Sequence, residues 1–172
     1  MMSNTRIPTL TTSRLTLRTF IPADDIALHR IMNEPDIMQY FPNTAPPEME
    51  RVQALIERQL MQYEKYNLGW WAVVPEGGSD LIGWNGLQYL PETDEVEVGY
   101  LLSKQFWGRG YATEGARAAL HFGFETLGLG QIIGLTHPDN KASQNVLLKC
   151  GLEYVEQKEY FGILANRYQI IK

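Results

Sequence analysis

A chain of 172 residues, 44% hydrophobic and 20% charged, has the composition of soluble globular proteins and not that of disordered or collagen-like chains. A formal net charge of −5 argues against a nucleic-acid surface, which needs clustered Lys and Arg to displace counterions from phosphates, and suits cationic acceptors such as amines. Met1 to Thr12 has no apolar stretch of signal-peptide length, no run of 18 uncharged apolar residues occurs, and Cys150 is the lone cysteine, so one domain over residues 1–172 in the reducing cytoplasm is expected, neither secreted nor membrane-bound.

In chain order, Arg14 to Phe20 alternates polar and apolar residues, the period of a half-buried strand. Pro22 opens a helix with Asp24 and Asp25 in its first turn and Ile26, Leu28, Ile31 and Met32 as its apolar stripe. Four prolines between Asn33 and Pro47 dictate a loop, and a second helix runs from Glu48 to about Tyr66 on Val52, Leu55, Ile56, Gln59, Leu60 and Tyr63. Trp70 to Val74, Leu81 to Leu90 and Glu95 to Leu102 then read as strands joined by short turns, hence an antiparallel meander. Beyond Leu102 come a glycine loop, a helix from about Tyr111 to Thr126, a strand Gln131 to Thr136, a helix Asn140 to Cys150, and strands Glu153 to Tyr160 and Arg167 to Ile171. Strand, crossover helix, strand demands one parallel pair, so the expectation is α/β (α+β): a mixed sheet with helices on its faces.

The segment Gln105-Phe106-Trp107-Gly108-Arg109-Gly110-Tyr111-Ala112-Thr113 carries the strongest chemical signal. Two glycines one residue apart, between a strand and a helix, permit positive φ angles that turn successive N–H groups inward into a concavity for phosphate. The helix that follows adds its unsatisfied N–H groups and the positive end of its dipole, and Lys104 and Arg109 are at hand for the remaining charge. A nucleoside triphosphatase loop is excluded because the chain has no Gly-Lys pair, and a dinucleotide fingerprint because Thr113 stands where the third glycine belongs.

Gln105-x-x-Gly108-x-Gly110 resembles the acyl-coenzyme A signature of the GNAT N-acetyltransferases. Arg14-Leu15-Thr16-Leu17-Arg18, Glu97-Val98-Gly99-Tyr100, and Asn140-x-x-Ser143 followed by Cys150-Gly151-Leu152 recur in that family's order and spacing. The likeness is greatest to the subgroup that acetylates the N-termini of ribosomal proteins. It implies a mostly antiparallel sheet of six to seven strands with about four helices, splayed between the strand ending at Leu102 and the strand Gln131 to Thr136, with acetyl-CoA as co-substrate in the gap. Main-chain groups of Leu101, Leu102 and Ser103 would pair with the pantetheine amides, and Gln105 with Gly108, Arg109, Gly110, Tyr111, Ala112 and Thr113 would hold the diphosphate. Asn140 would bond the pantetheine arm and Ser143 would sit near the sulfur. Leu101 and Leu102 also break the alternation of Val96, Val98 and Tyr100, as a bulge or a doubly buried strand end does.

Acetyl transfer to an amine needs a base for the attacking nitrogen and a donor for the departing thiolate. Glu95, Glu97 and Gly99 share one strand face opposite Val96 and Val98, and Glu97, nearest the splay, is the candidate base, acting through water. Ser143 is the candidate donor, with Tyr154 or Tyr160 as substitutes, and Asn140 also suits a helix cap. His29, His121 and His137 lie on separate elements without ligand spacing, so no metal site is assigned. Trp84 is a candidate for the acceptor pocket, and the loop Asn33 to Pro47 and the turn Phe161 to Asn166 are expected to flank it. The preferred acceptor is a peptide or protein N-terminal α-amine, ribosomal proteins among the possibilities. The alternatives are a small-molecule amine or a non-catalytic acyl-CoA sensor, and a monomer or homodimer fits equally.

Overall fold

The computed structural model describes residues 7–172, so the reading of Met1 to Thr12 lies partly outside the described residues. Its elements are β1 (Leu10–Thr11), β2 (Leu15–Arg18), α1 (Asp25–Met32), α2 (Met49–Tyr66), β3 (Trp70–Pro75), β4 (Gly83–Leu90), β5 (Glu95–Leu102), α3 (Tyr111–His121), β6 (Gln131–Thr136), α4 (Lys141–Lys149), β7 (Glu153–Tyr160) and β8 (Ile163–Ile171). The eight strands form one sheet in the order β1-β2-β3-β4-β5-β6-β8-β7, antiparallel throughout except where β5 meets β6. No helix among the described residues is long and apolar enough to cross a membrane.

The sheet has one strand more than the sequence led us to expect. β1 is only two residues long, paired through Leu10 with Leu17 and Thr11 with Thr16, too short to display a period. Pro22 opens a 3-10 turn, Pro22–Asp24, and α1 starts only at Asp25. Ile26, two positions from Leu28, falls on the opposite side of the helix and is 72% exposed, while Leu28, Ile31 and Met32 form the buried stripe. Asp24 is buried and receives both arms of the Arg18 guanidinium at 2.7 and 2.8 Å, a bidentate pair in place of a surface dipole partner. At the far end, β8 begins at Ile163 and not Arg167. The hairpin closes through Phe161 and Gly162 alone, both at positive φ (52° and 78°), as a two-residue turn of the type that matches strand twist. Phenylalanine is a poor signal for that position, which usually falls to Asn, Asp or Gly.

Alternation along the central strands sends side chains to two packed faces. Leu17, Trp71, Val73, Leu87, Val98 and Leu102 pack with Ala116, Ala119, Leu120 and Leu147 from α3 and α4. Trp70, Ala72, Trp84 and Leu101 pack with Leu28, Ile31, Val52, Leu55 and Ile56 from α1 and α2.

α3 lies unusually close to β4. Asn85, wholly buried, donates from Nδ2 to the Ala112 carbonyl at 3.1 Å, and a Cβ on Gly115 would stand 2.6 Å from the same Nδ2. Gly115→Ala should therefore push α3 off the sheet and cost about 1–3 kcal/mol, the range for overpacking. Urea denaturation reads this as a lower midpoint at unchanged slope.

Candidate active site

The site arises where the sheet stops being continuous. β5 and β6 share one registered pair, Glu97 with Ile133, and then part. Beyond it opens a cleft of about 1320 Å³ between β5 with the start of α3 on one side and β6 with α4 on the other. The β4–β5 register is unbroken from Leu90 with Glu95 to Gly83 with Leu102. The Ser103 amide continues it to the Ile82 carbonyl at 2.8 Å. In an antiparallel ladder alternate residues face alternate neighbours, so Glu97, Gly99 and Leu101 spend their main-chain groups on β4 and those of Val98, Tyr100 and Leu102 turn toward β6. The Leu102 carbonyl accepts the Trp107 indole N–H at 2.7 Å, which leaves the Leu102 amide and both polar groups of Tyr100 facing the gap. Leu101 and Leu102 are both buried, in packing clusters on opposite faces, so the broken alternation marks a doubly buried strand end and not a bulge.

After β5, a 3-10 turn over Lys104–Phe106 leads to Gly108 (φ 71°) and Gly110 (φ 80°), both left-handed, as the loop reading requires. Among the described residues, the amides from Gly108 to Thr113 have no main-chain partner. Gly108, Gly110, Tyr111, Ala112 and Thr113 line the cleft, which is the geometry of an anion cradle at a helix start. Gln105 and Arg109 are exposed and outside the lining, with the Arg109 guanidinium 5.5 Å from the Phe106 ring. Ser103 is buried and also outside the lining. Its hydroxyl donates to Glu34 Oε1 at 2.6 Å while the Lys104 amide donates to Oε2 at 2.8 Å. On the same loop, Asn33 Nδ2 reaches the Pro47 carbonyl at 3.0 Å, closing the base of the 33–47 segment.

Glu97 stands at the apex where the strands part. Gln88 Nε2 donates to its Oε2 at 2.7 Å. Burial lifts its carboxyl to about 7, against hydrogen bonds from Gln88 and the main chain at Leu135, with the nearby charge of Glu95 adding to the rise. Glu95 itself pairs with Arg167 at 2.7 Å. Next along the same face, Gly99 leaves room for Trp70 and Trp84, stacked at 3.7 Å and 10°. A Cβ there would meet Trp84 at 3.4 Å.

Across the cleft, Asn140 Oδ1 caps α4 by accepting the Ser143 amide at 3.1 Å. Ser143 Oγ lies 3.0 Å from the Tyr100 hydroxyl, which also donates to the Ser143 carbonyl at 2.9 Å. Burial pushes the Tyr100 phenol well above its ordinary value, so it stays protonated and serves as a donor. Tyr100 was not singled out in the sequence. Its signal was available, since a tyrosine alternating with Val96 and Val98 on a packed face needs a partner for its hydroxyl.

The parallel pair parts at Glu97 with a main-chain cradle beyond it, and residues 14–153 fit the Acetyltransferase (GNAT) domain. The chain belongs to the GNAT acetyltransferase family. Its activity is acetyl-CoA-dependent N-acetyl transfer. Among similar proteins, FsC-acetyl coenzyme A-N(2)-transacetylase of Aspergillus fumigatus is 42% identical over 96 residues, which span 51% of this chain and 40% of that protein. A solved acetyltransferase from Agrobacterium tumefaciens superposes with a TM-score of 0.84 at 27% identity, covering 96% of this chain and 95% of that one. The coenzyme A complex of RimL, a ribosomal L7/L12 α-N-protein acetyltransferase, shares the fold with a TM-score of 0.79 at 17% identity, covering 96% and 97%.

Within this GNAT cleft Tyr160 is part of the lining, whereas Tyr154 is half exposed outside it and packs on Tyr168 at 5.7 Å. Gln39, Tyr40 and Phe41 from the 33–47 segment, and Phe161, Ile163 and Ala165 from the last hairpin, also line it. His137 lies in the lining against Tyr40, and no group of three His, Cys, Asp or Glu among the described residues could hold a metal ion. Cys150 faces the Thr113 carbonyl at 3.7 Å, and burial raises its thiol to about 11, the state of an unreactive structural cysteine.

Proposed function

We propose that this enzyme acetylates the α-amine of a peptide or protein N-terminus by direct attack in a ternary complex. The observation that carries the proposal is Glu97, a single carboxyl held at about 7 where the strands part. Taking a proton from an α-amine with pKa near 7.8 costs about 1 kcal/mol at pH 7, against about 4.6 kcal/mol for a lysine near 10.4. A base matched to neutral pH suits the first of these. RimL, an α-N-protein acetyltransferase of the same fold, supports the same choice.

In the proposed reaction Glu97 accepts the ammonium proton, through one water, and the neutral nitrogen attacks the thioester carbonyl. The C–N bond forms and the C–S bond breaks, the nitrogen's second proton goes to the departing sulfur, and the Ser143 hydroxyl stabilises that sulfur by a hydrogen bond. The amides of Gly108 to Thr113 hold the diphosphate of acetyl-CoA, and the main-chain groups of Tyr100, the Leu102 amide and Asn140 guide the pantetheine arm; Leu101 and Ser103, expected to share that task, are bonded on the β4 side, and Gln105 and Arg109 lie outside the cleft. Ser143→Ala should lower kcat about tenfold, since a hydrogen bond to a charged group contributes about 1.5 kcal/mol or more. Steady-state thiol release measures it.

Mass spectrometry of a panel of peptides, polyamines, amino acids and amino sugars incubated with enzyme and acetyl-CoA tests the acceptor. Products on peptide N-termini support the proposal, and acetylation confined to small amines overturns it. Thiol release that never exceeds background with any acceptor would instead favour an acyl-CoA sensor.

A further inference from the structure

One side chain behind the glycine loop has no part in the chemistry above yet is bonded both to the loop and to the helix that follows it. Arg14 opens β2 from the turn after β1. Its Nε donates to Glu114 Oε2 at 2.7 Å and its Nη2 approaches the same oxygen at 2.6 Å. Its Nη1 donates to the Arg109 carbonyl at 2.9 Å, in the middle of the loop. The guanidinium also lies 4.7 Å from the centre of the Tyr111 ring, the first residue of α3. The other carboxylate oxygen, Glu114 Oε1, accepts the Thr12 hydroxyl at 2.7 Å, the Ser13 hydroxyl at 3.0 Å and the Arg14 amide at 2.9 Å. Burial alone would raise the Glu114 carboxyl, but these bonds outweigh it and hold it below its ordinary value, as an anion.

The arrangement matters because of where Glu114 sits. It is in the first turn of α3, where a carboxylate suits the helix dipole but opposes any anion at the same helix start. Arg14 neutralises it. The Arg109 carbonyl poses a second difficulty, because a carbonyl aimed at a diphosphate repels it. Arg14 draws this carbonyl out to the back of the loop, between the two left-handed glycines, and the neighbouring amides are left pointing into the cleft. Arg14 is absent from the cleft lining, so it acts from behind and touches no substrate.

We infer that Arg14, anchored by Glu114, is a positioning residue that sets the glycine loop for the diphosphate of acyl-coenzyme A. The inference rests on the reading that this loop takes the diphosphate. It makes a demand that a merely structural role does not: loss of Arg14 must penalise ligands in proportion to their diphosphate and spare those that lack it.

Fluorescence of Trp84 and Trp107, both in the cleft lining, provides the readout. Coenzyme A and pantetheine, which lacks the nucleotide and diphosphate, are titrated against wild type, Arg14→Ala and Arg14→Lys, each checked for a cooperative thermal transition. Arg14→Ala should raise Kd for coenzyme A about tenfold and alter Kd for pantetheine less than twofold. Arg14→Lys keeps the charge against Glu114 but has no second arm for the Arg109 carbonyl, and should lose several-fold of the same selectivity. It decides the matter if the alanine variant does not fold. Equal weakening of both ligands, or no weakening of either, overturns the inference while leaving acetyl transfer intact. Wild-type protein that binds neither ligand would instead overturn the reading of the loop, and this inference with it.

Discussion

Glu97→Gln should lower kcat by about 100- to 1,000-fold, within the range for removal of a general base. The amide keeps the shape and still accepts from Gln88, so the cleft is preserved while proton capture is lost. In wild type the carboxyl must be ionised to act, so activity with saturating substrates should rise with pH through about 7, and the variant should lose that limb. Stability should move the opposite way. Between the ordinary value of 4.5 and about 7 the unfolded chain releases this proton while the folded chain retains it, so folding weakens as pH climbs through that window. Glutamine has no proton to lose, and Glu97→Gln should be more stable than wild type above pH 7, on the order of 2 kcal/mol. Rate profiles and urea denaturation across pH check both halves. An unchanged kcat in this variant would remove Glu97 from the mechanism.

Gly110→Val should raise KM for acetyl-CoA roughly 30- to 150-fold with a much smaller change in kcat. A β-branched residue at φ 80° is strained by about 2–3 kcal/mol, and each 1.4 kcal/mol is tenfold in affinity. The loop is solvent-exposed, so in the free enzyme it relaxes away from the strained conformation at little cost. The penalty therefore falls on binding, when the amides must be returned to the cradle. Arg14 Nη2 would lie 3.4 Å from the new Cβ, which adds crowding on the far side. Calorimetric titration with coenzyme A, beside a thermal melt showing little loss of stability, is the measurement. Affinity equal to wild type would exclude this loop as the diphosphate site.

The large elements were legible because their signals are local. The apolar spacing of α2 put Val52, Leu55, Ile56, Gln59 and Tyr63 on its buried face, and the glycine pair at 108 and 110 took the φ angles its position demands. Glu97 could be placed at the splay because the family resemblance implied where the sheet parts. What escaped depends on contacts distant in sequence. Nothing near Arg14 announces Glu114 a hundred residues away, and nothing near Tyr100 announces Ser143. Ile26 is apolar but stands two positions from Leu28, a spacing that puts it on the solvent side of α1. Phe161 concealed a tight hairpin because its backbone conformation is one that its side chain disfavours.

Glu34 joins the two halves of the cleft. Its carboxylate is fastened to Ser103 and Lys104, at the end of β5, while the segment it begins carries Tyr40 and Phe41 into the cleft lining. Asn33 closes the same segment at its base. On the proposed function, the cleft-lining residues between these two fastenings are the ones free to change which amine is accepted, while Ile37 and Met38, buried in one cluster with Leu101, keep the segment seated.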